Sequence, residues 1–206
     1  MSRQPRDNKK DVIIQAAEEE FLQKGYDGAR MMEIAQKAGV GHPLLHYHFS
    51  NKRKLFQNVV SGKLNVLMQS VLISLDEPDR DFSERISLMV SRHFDFLQEH
   101  GNYIRFILKE LDIHPELMTQ VRLAVVEQFN EAKKRFQVAL DQEIEKGNIC
   151  YIDAQTLILD IVSLNVFCIL TNPLIGNVVD DSQNKAFLEM RKSENVKMVL
   201  GRLQIK

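Results

Sequence analysis

The sequence is poor in the residues that staple small domains, close metal sites and build sheets. Its two cysteines, Cys150 and Cys168, stand in apolar surroundings without metal-ligand spacing. That argues against a disulfide framework or a zinc site and predicts two buried free thiols in a reducing compartment. Glycine (9) and proline (5) are sparse among 206 residues, and no stretch alternates apolar with polar residues as a half-buried strand would. There is no G-x-S-x-G, no P-loop and no G-x-G-x-x-G, so the motifs of nucleophile elbows and phosphate-cradling loops are missing. No enzymatic chemistry and no cofactor is expected. The first residues, MSRQPRDNKKD, are too polar for a secretory leader. The longest apolar run, LILDIVSLNVFCIL (157–170), is interrupted by Asp160 and Asn165 and is short for a bilayer. A cytoplasmic protein is expected.

What the chain has in quantity is helix formers: Leu, Ile, Glu, Lys and Gln. Apolar residues recur at helical spacing from end to end. Ile13, Ala17 and Phe21 mark a first helix over 8–24, with Gly25 placed to end it. Residues 31–38 and 42–48 make two short helices. Asn51 caps a fourth, whose apolar side runs through Leu55, Val59, Val66, Leu67 and Val71 to Leu75. Asp81 and Glu84 have the spacing of a capping box for a fifth, and HGN (100–102) breaks it. A sixth covers 103–112, and Pro115 opens a seventh striped by Val121, Val125, Phe129, Ala132, Phe136 and Leu140. Asp153 caps an eighth and Asp181 or Ser182 a ninth. The fold class is all-α, with about nine helices.

Charge divides the chain. Net −1 overall hides residues 1–54, where ten Lys/Arg face seven Asp/Glu, while the rest carries net −4. A mildly basic head on an acidic body suggests two tasks. Within the head, Ala38-Gly39-Val40-Gly41 joins two short helices at helix-turn-helix spacing.

The stretch AAEEEFLQKGYDGARMMEIAQKAGVGHPLLHYHFSNKRKLF resembles the DNA-binding head of the TetR family of transcriptional regulators. The resemblance rests on Ala16, Ala17, Phe21, Gly25, Tyr26, Ile34, Ala35, Ala38, Gly39, Val40, Tyr47, Phe49, Lys52, Leu55 and Phe56, about the first quarter of the chain. It implies an N-terminal three-helix helix-turn-helix DNA-binding domain over 1–52 and a helical ligand-binding and dimerisation domain over 53–206. It also implies a homodimer through the last two helices and a repressor released from a roughly palindromic operator by a small effector. The rival class is an α-helical ligand-binding or enzymatic domain without DNA binding.

The head departs from the family pattern in informative places. Ala29 and Arg30 stand where a capping hydroxyl usually opens the second helix, so Arg30 is expected to supply the phosphate contact. The recognition helix opens His42-Pro43-Leu44 and lacks Arg, Asn and Gln, the residues that pair bidentately with guanine or adenine. His42, Pro43 and Leu44 are the expected base-facing residues, with His46, Tyr47 and Lys52 on phosphates. Leu45 and Phe49, four apart, are expected in the core, and His48 back toward the scaffold. His42 and His46 share a helix face, whereas His48 lies about 200° from His46, so the three cannot close a metal site.

In the body, 157–170 is apolar on more than one face, which fits a dimer interface. His93, Phe96, Tyr103, Phe129 and Asn165 are the effector-binding candidates, the polar ones because a buried polar group in an apolar stretch needs a partner. A largely apolar effector is expected.

Overall fold

The computed structural model describes residues 5–77, 79–176 and 180–204. Among them are nine α-helices and no strand. They are α1 (Pro5–Gly28), α2 (Met31–Lys37), α3 (His42–His48), α4 (Lys52–Leu72), α5 (Phe82–Glu99), α6 (Gly101–Ile113), α7 (Pro115–Glu145), α8 (Ala154–Gly176) and α9 (Asp181–Leu203). The expected all-α class is borne out. The residues gather into two compact units.

The first unit contains the chain up to Asn65 together with Asn102–Val126. Its core joins Ile13, Ala17 and Phe21 of α1 to Ile34 of α2, Leu45 of α3 and Leu55, Phe56 and Val60 of α4. Tyr103 and Phe106 of α6 and Leu117 and Val121 of α7 complete it. Three aromatic rings meet edge-on: Phe56 lies 5.3 Å from Phe21 and 5.2 Å from Tyr26. The Asn51 side chain accepts the Lys54 N–H at 2.9 Å and caps α4 as expected.

The second unit contains Val66–Gly101 and the chain from Glu127 onward. Here α5 packs on both α8 and α9, and α8 packs on α9. Ile86, Val90, Phe136, Leu140, Leu157, Ile161, Val199 and Leu203 form its centre. The capping box at α5 is complete: Asp81 accepts the Glu84 N–H at 2.8 Å, and Glu84 accepts the Asp81 N–H at 3.2 Å. Asp153 accepts the Thr156 N–H at 2.9 Å at the start of α8.

Several expectations fail in detail. The α-helical part of α4 stops at Leu72 and tightens into a 3-10 turn, Ile73–Asp76, and Val66 is exposed rather than in the stripe. HGN interrupts the chain only at His100, because α6 starts at Gly101. The α9 cap is Asp180, one residue before the expected pair, and it accepts the Gln183 N–H at 2.9 Å. Cys150 is exposed, with its thiol donating to the Gln204 side chain, whereas Cys168 is buried. Finally, α8 outruns its apolar stretch: Ala154–Leu174 is long and apolar enough to cross a membrane by length and composition. Its polar interruption nevertheless serves a protein interior, since Asn165 is fully buried and hydrogen-bonded to α5 and α9.

Candidate nucleic-acid interface

The turn between α2 and α3 follows from Gly39. It adopts φ +62°, a left-handed conformation that glycine enters without penalty. Its N–H donates to the Gln36 carbonyl at 3.1 Å, and the Val40 N–H donates to the Ala35 carbonyl at 3.0 Å. This doubly bonded closure ends α2 and returns the Val40 side chain to the core. Gly41 then opens α3, with Pro43 in the first turn, where a missing N–H costs nothing.

The residues of α3 and its C-cap Phe49 divide between two faces. Leu45 and Phe49 face inward as expected, at 0% and 2% exposure. His42, Pro43, Leu44, His46 and Tyr47 all face outward, and Tyr47 is 76% exposed. His48 is half-buried. The imidazoles of His42 and His46 meet edge-to-face with centroids 4.4 Å apart. His46 Nδ1 lies 3.3 Å from the Ser50 carbonyl oxygen.

Arg30 is exposed and sits at the α2 N-cap with no side-chain cap bond, consistent with the missing hydroxyl. Lys52 does more than expected. Its ammonium donates to the carbonyls of Asp27 (3.2 Å) and Ala29 (3.1 Å) and lies 4.6 Å from the Tyr26 ring centroid. Two of its three donors therefore hold the α1–α2 link, leaving one for an anion. Arg53 and Lys54, beside it in the first turn of α4, are exposed.

Two buried carboxylates escaped sequence reasoning. Glu20 of α1 is fully buried, and its oxygens pair with Lys24 (2.7 Å) and Lys37 of α2 (2.5 Å). Burial by itself raises a carboxyl group, but the two ammonium groups prevail and hold Glu20 well below the usual carboxylate range. Lys24 also pairs with Glu33, so the cluster fastens α2 to α1. The i,i+4 spacing of Glu20 and Lys24 was a visible signal, whereas the α2 partners were not. Glu110 of α6, 2% exposed, accepts the Tyr26 N–H at 3.1 Å. No spacing rule connects residues 84 apart.

The effector candidates scatter. His93 of α5 and Asn165 of α8 do meet, with Asn165 Nδ2 3.0 Å from His93 Nδ1 and 3.0 Å from the Val90 carbonyl. Asn195 of α9 donates to Asn165 at 2.8 Å, and Arg191 donates to Asn195 at 2.8 Å. This chain through the second unit was not foreseen. Burial lowers the His93 imidazole to about 4, so it is neutral. Phe96 is half-buried with its ring 4.4 Å from His100. Phe129 breaks its expected stripe, at 37% exposure. Tyr103 belongs to the first unit, where its hydroxyl donates to the Val59 carbonyl at 3.2 Å. Surface depressions lined by Asp76, Glu77 and Arg80, and by Lys133, Lys134 and Gln155, include none of these five.

A tight glycine turn, an outward-facing short helix with a buried back, and a cationic helix start beside it define a helix-turn-helix protein. Residues 13–59 match the family described as bacterial regulatory proteins, tetR family. The match covers the segment from α1 into α4 and carries the likeness of this chain to that family. The transcriptional activator FasR of Mycolicibacterium smegmatis is 33% identical over 124 residues, 60% of this chain and 56% of FasR. The match thus spans little more than half the length of that relative. A TetR-family transcriptional regulator from Mesorhizobium loti has the same fold, with a TM-score of 0.73 at 22% identity over 97% of this chain and 98% of that one. FadR of Bacillus subtilis, in complex with stearoyl-CoA, gives 0.69 at 19% identity over 93% and 98%.

Proposed function

We propose that this chain is a sequence-specific, ligand-responsive transcriptional repressor that binds a roughly palindromic DNA operator as a homodimer in the cytoplasm. The observation that carries the reading is the outward face of α3, where His42, Pro43, Leu44, His46 and Tyr47 are all exposed over the buried Leu45 and Phe49. A short helix with that division suits the major groove. His42, Pro43 and Leu44 face base edges, while Arg30, His46, Tyr47 and the remaining donor of Lys52 take phosphates. Residues 1–52 supply this reading head, and 53–206 supply effector binding and dimerisation. In the second unit Leu159, Phe167 and Leu174 of α8 and Met190 and Met198 of α9 are exposed apolar residues that a partner α8–α9 pair would cover. Two-fold pairing would place the recognition helices about 34–36 Å apart, one turn of DNA.

The effector is small and largely apolar. His93 and Asn165, with Phe96 and Phe129, are its candidate contacts, and Tyr103 is assigned to the core. The stearoyl-CoA held by the fold relative FadR supports an effector with an apolar body. Effector binding releases DNA by favouring the conformation with the lower operator affinity. FasR is an activator, so the sign of regulation needs its own reporter assay.

The decisive measurement is binding to the DNA upstream of the protein's own gene and to a random duplex, at about 50 and 200 mM salt. Preference for the upstream DNA, with affinity falling steeply in salt, is expected. Tyr47→Ala should weaken binding to both duplexes, and His42→Ala should also change preference. A complex indifferent to salt and sequence would favour an α-helical ligand-binding or enzymatic domain instead.

A further inference from the structure

His46 stands at the outward face of α3, and the fold restricts what it can offer there. Its Nδ1 is 3.3 Å from the backbone carbonyl oxygen of Ser50. A carbonyl oxygen only accepts, so Nδ1 carries the proton. In the neutral ring Nε2 is then left as an acceptor. A phosphate oxygen is also only an acceptor, so neutral His46 has nothing to give it. With the Ser50 bond kept, the two become compatible when Nε2 takes a proton from solvent, which makes it a charged donor.

We infer that His46 binds the DNA backbone as an imidazolium, so that each recognition helix takes up a proton when it docks. This rests on the reading of α3 as the DNA-facing helix. The surroundings set the number of protons. His42 lies against the same ring at 4.4 Å, and a second charge at that separation opposes the first. One proton per recognition helix is therefore the number the experiment should read. On α3 itself, Tyr47 and His48 follow. In the first turn of α4 the charged groups are Lys52, tied to the Asp27 and Ala29 carbonyls, and the exposed Arg53 and Lys54. On α2 they are Glu33 and Lys37, committed to Lys24 and Glu20. A docked phosphate favours the imidazolium, and that difference between free and bound protein is the linkage.

DNA favours the protonated form, so affinity falls as pH rises, by up to about tenfold per pH unit for each recognition helix. The contact is to the backbone, so a random duplex shows the same slope as a preferred one. The test is fluorescence anisotropy of the full-length protein with a labelled random duplex and the upstream duplex. It is run at about pH 6, 7 and 8 and fixed ionic strength. The wild-type dissociation constant should rise at least about fivefold from pH 6 to pH 8 on both. His46→Gln, which keeps a neutral donor, should lose most of the slope. His46→Arg should bind at pH 8 as tightly as wild type does at pH 6. His42→Gln should keep the slope. The side chain is exposed, and thermal melts confirm that each variant is folded. A pH-independent wild type, or His46→Gln with an unchanged slope, overturns the inference. So does operator preference that collapses in His46→Gln at every pH, which would mean that Nε2 accepts from a base amino group. Failure to bind either duplex at any pH would instead remove the DNA-binding reading itself.

Discussion

Glu110 on α6 accepts the backbone N–H of Tyr26 at 3.1 Å, directly after the residue at which α1 breaks. That residue, Gly25, has φ +70° and ψ 176°, a conformation reserved almost entirely for glycine. The break turns the Tyr26 N–H away from the helix and toward a carboxylate. It also lets the Tyr26 ring reach Phe56 and receive the Lys52 ammonium at 4.6 Å. The end of α1 is therefore where α6 and the start of α4 converge in the first unit.

Gly25→Ala should destabilise the protein by about 1–3 kcal/mol from backbone strain. A Cβ at that position would also sit 3.1 Å from Glu110 Oε1, closer than an ordinary contact. The two causes separate in a double-mutant cycle. Glu110→Ala removes the crowding but not the strain, so it should recover only part of the Gly25→Ala loss. A coupling of at least about 0.5 kcal/mol in urea unfolding is expected. A Gly25→Ala protein as stable as wild type would show that the break is not needed.

The legible signals are local ones, in both units. Gly25, Gly39 and the Leu45–Phe49 pair each act within a few residues, and Asn51, Asp81 and Asp153 cap helices from adjacent sequence. The misses are long-range. Lys52 reads as a free cation until the fold brings the Asp27 and Ala29 carbonyls to it. Glu20 reads as surface charge until α2 closes over it. Phe129 keeps the α7 period yet lies outside the second unit's core, since a stripe shows which face is apolar but not where its neighbour stops. His93 and Asn165 each stand out in the sequence by isolation among apolar neighbours, but nothing there pairs them. The Asn195 and Arg191 extension had no such mark, as both lie in a polar helix.

His93 makes the stability of the second unit depend on pH. Burial lowers its imidazole from 6.5 to about 4, so the unfolded chain binds that proton first as pH falls. The contribution is complete above about pH 6.5 and is lost as pH falls toward and through 4. Between pH 7 and pH 5 the expected loss is about 2 kcal/mol. Urea unfolding of wild type and His93→Gln at both pH values isolates it. His93→Gln should lose less stability over that interval by about the same amount. Equal losses in the two proteins would mean that His93 is not held neutral in the fold.

The apolar side of α8 separates association from folding. Phe167 is 69% exposed, whereas Leu157, ten residues earlier on the same helix, is fully buried. Phe167→Asp removes no interior contact, so it should leave the melting transition of the isolated chain nearly unchanged. A homodimer that covers Phe167, however, would have to bury an unpaired carboxylate, which is unfavourable enough to dissociate it. Light scattering should then fall from twice the 23.8 kDa chain mass to that mass, while far-ultraviolet circular dichroism keeps its helical signal. Leu157→Ala should do the reverse, costing about 2–5 kcal/mol in stability while the folded fraction still associates. Operator affinity should drop sharply in Phe167→Asp, since two half-sites are no longer held on one particle. A wild-type chain that is already monomeric at micromolar concentration would defeat the dimer reading and leave the apolar face of α8 for another partner.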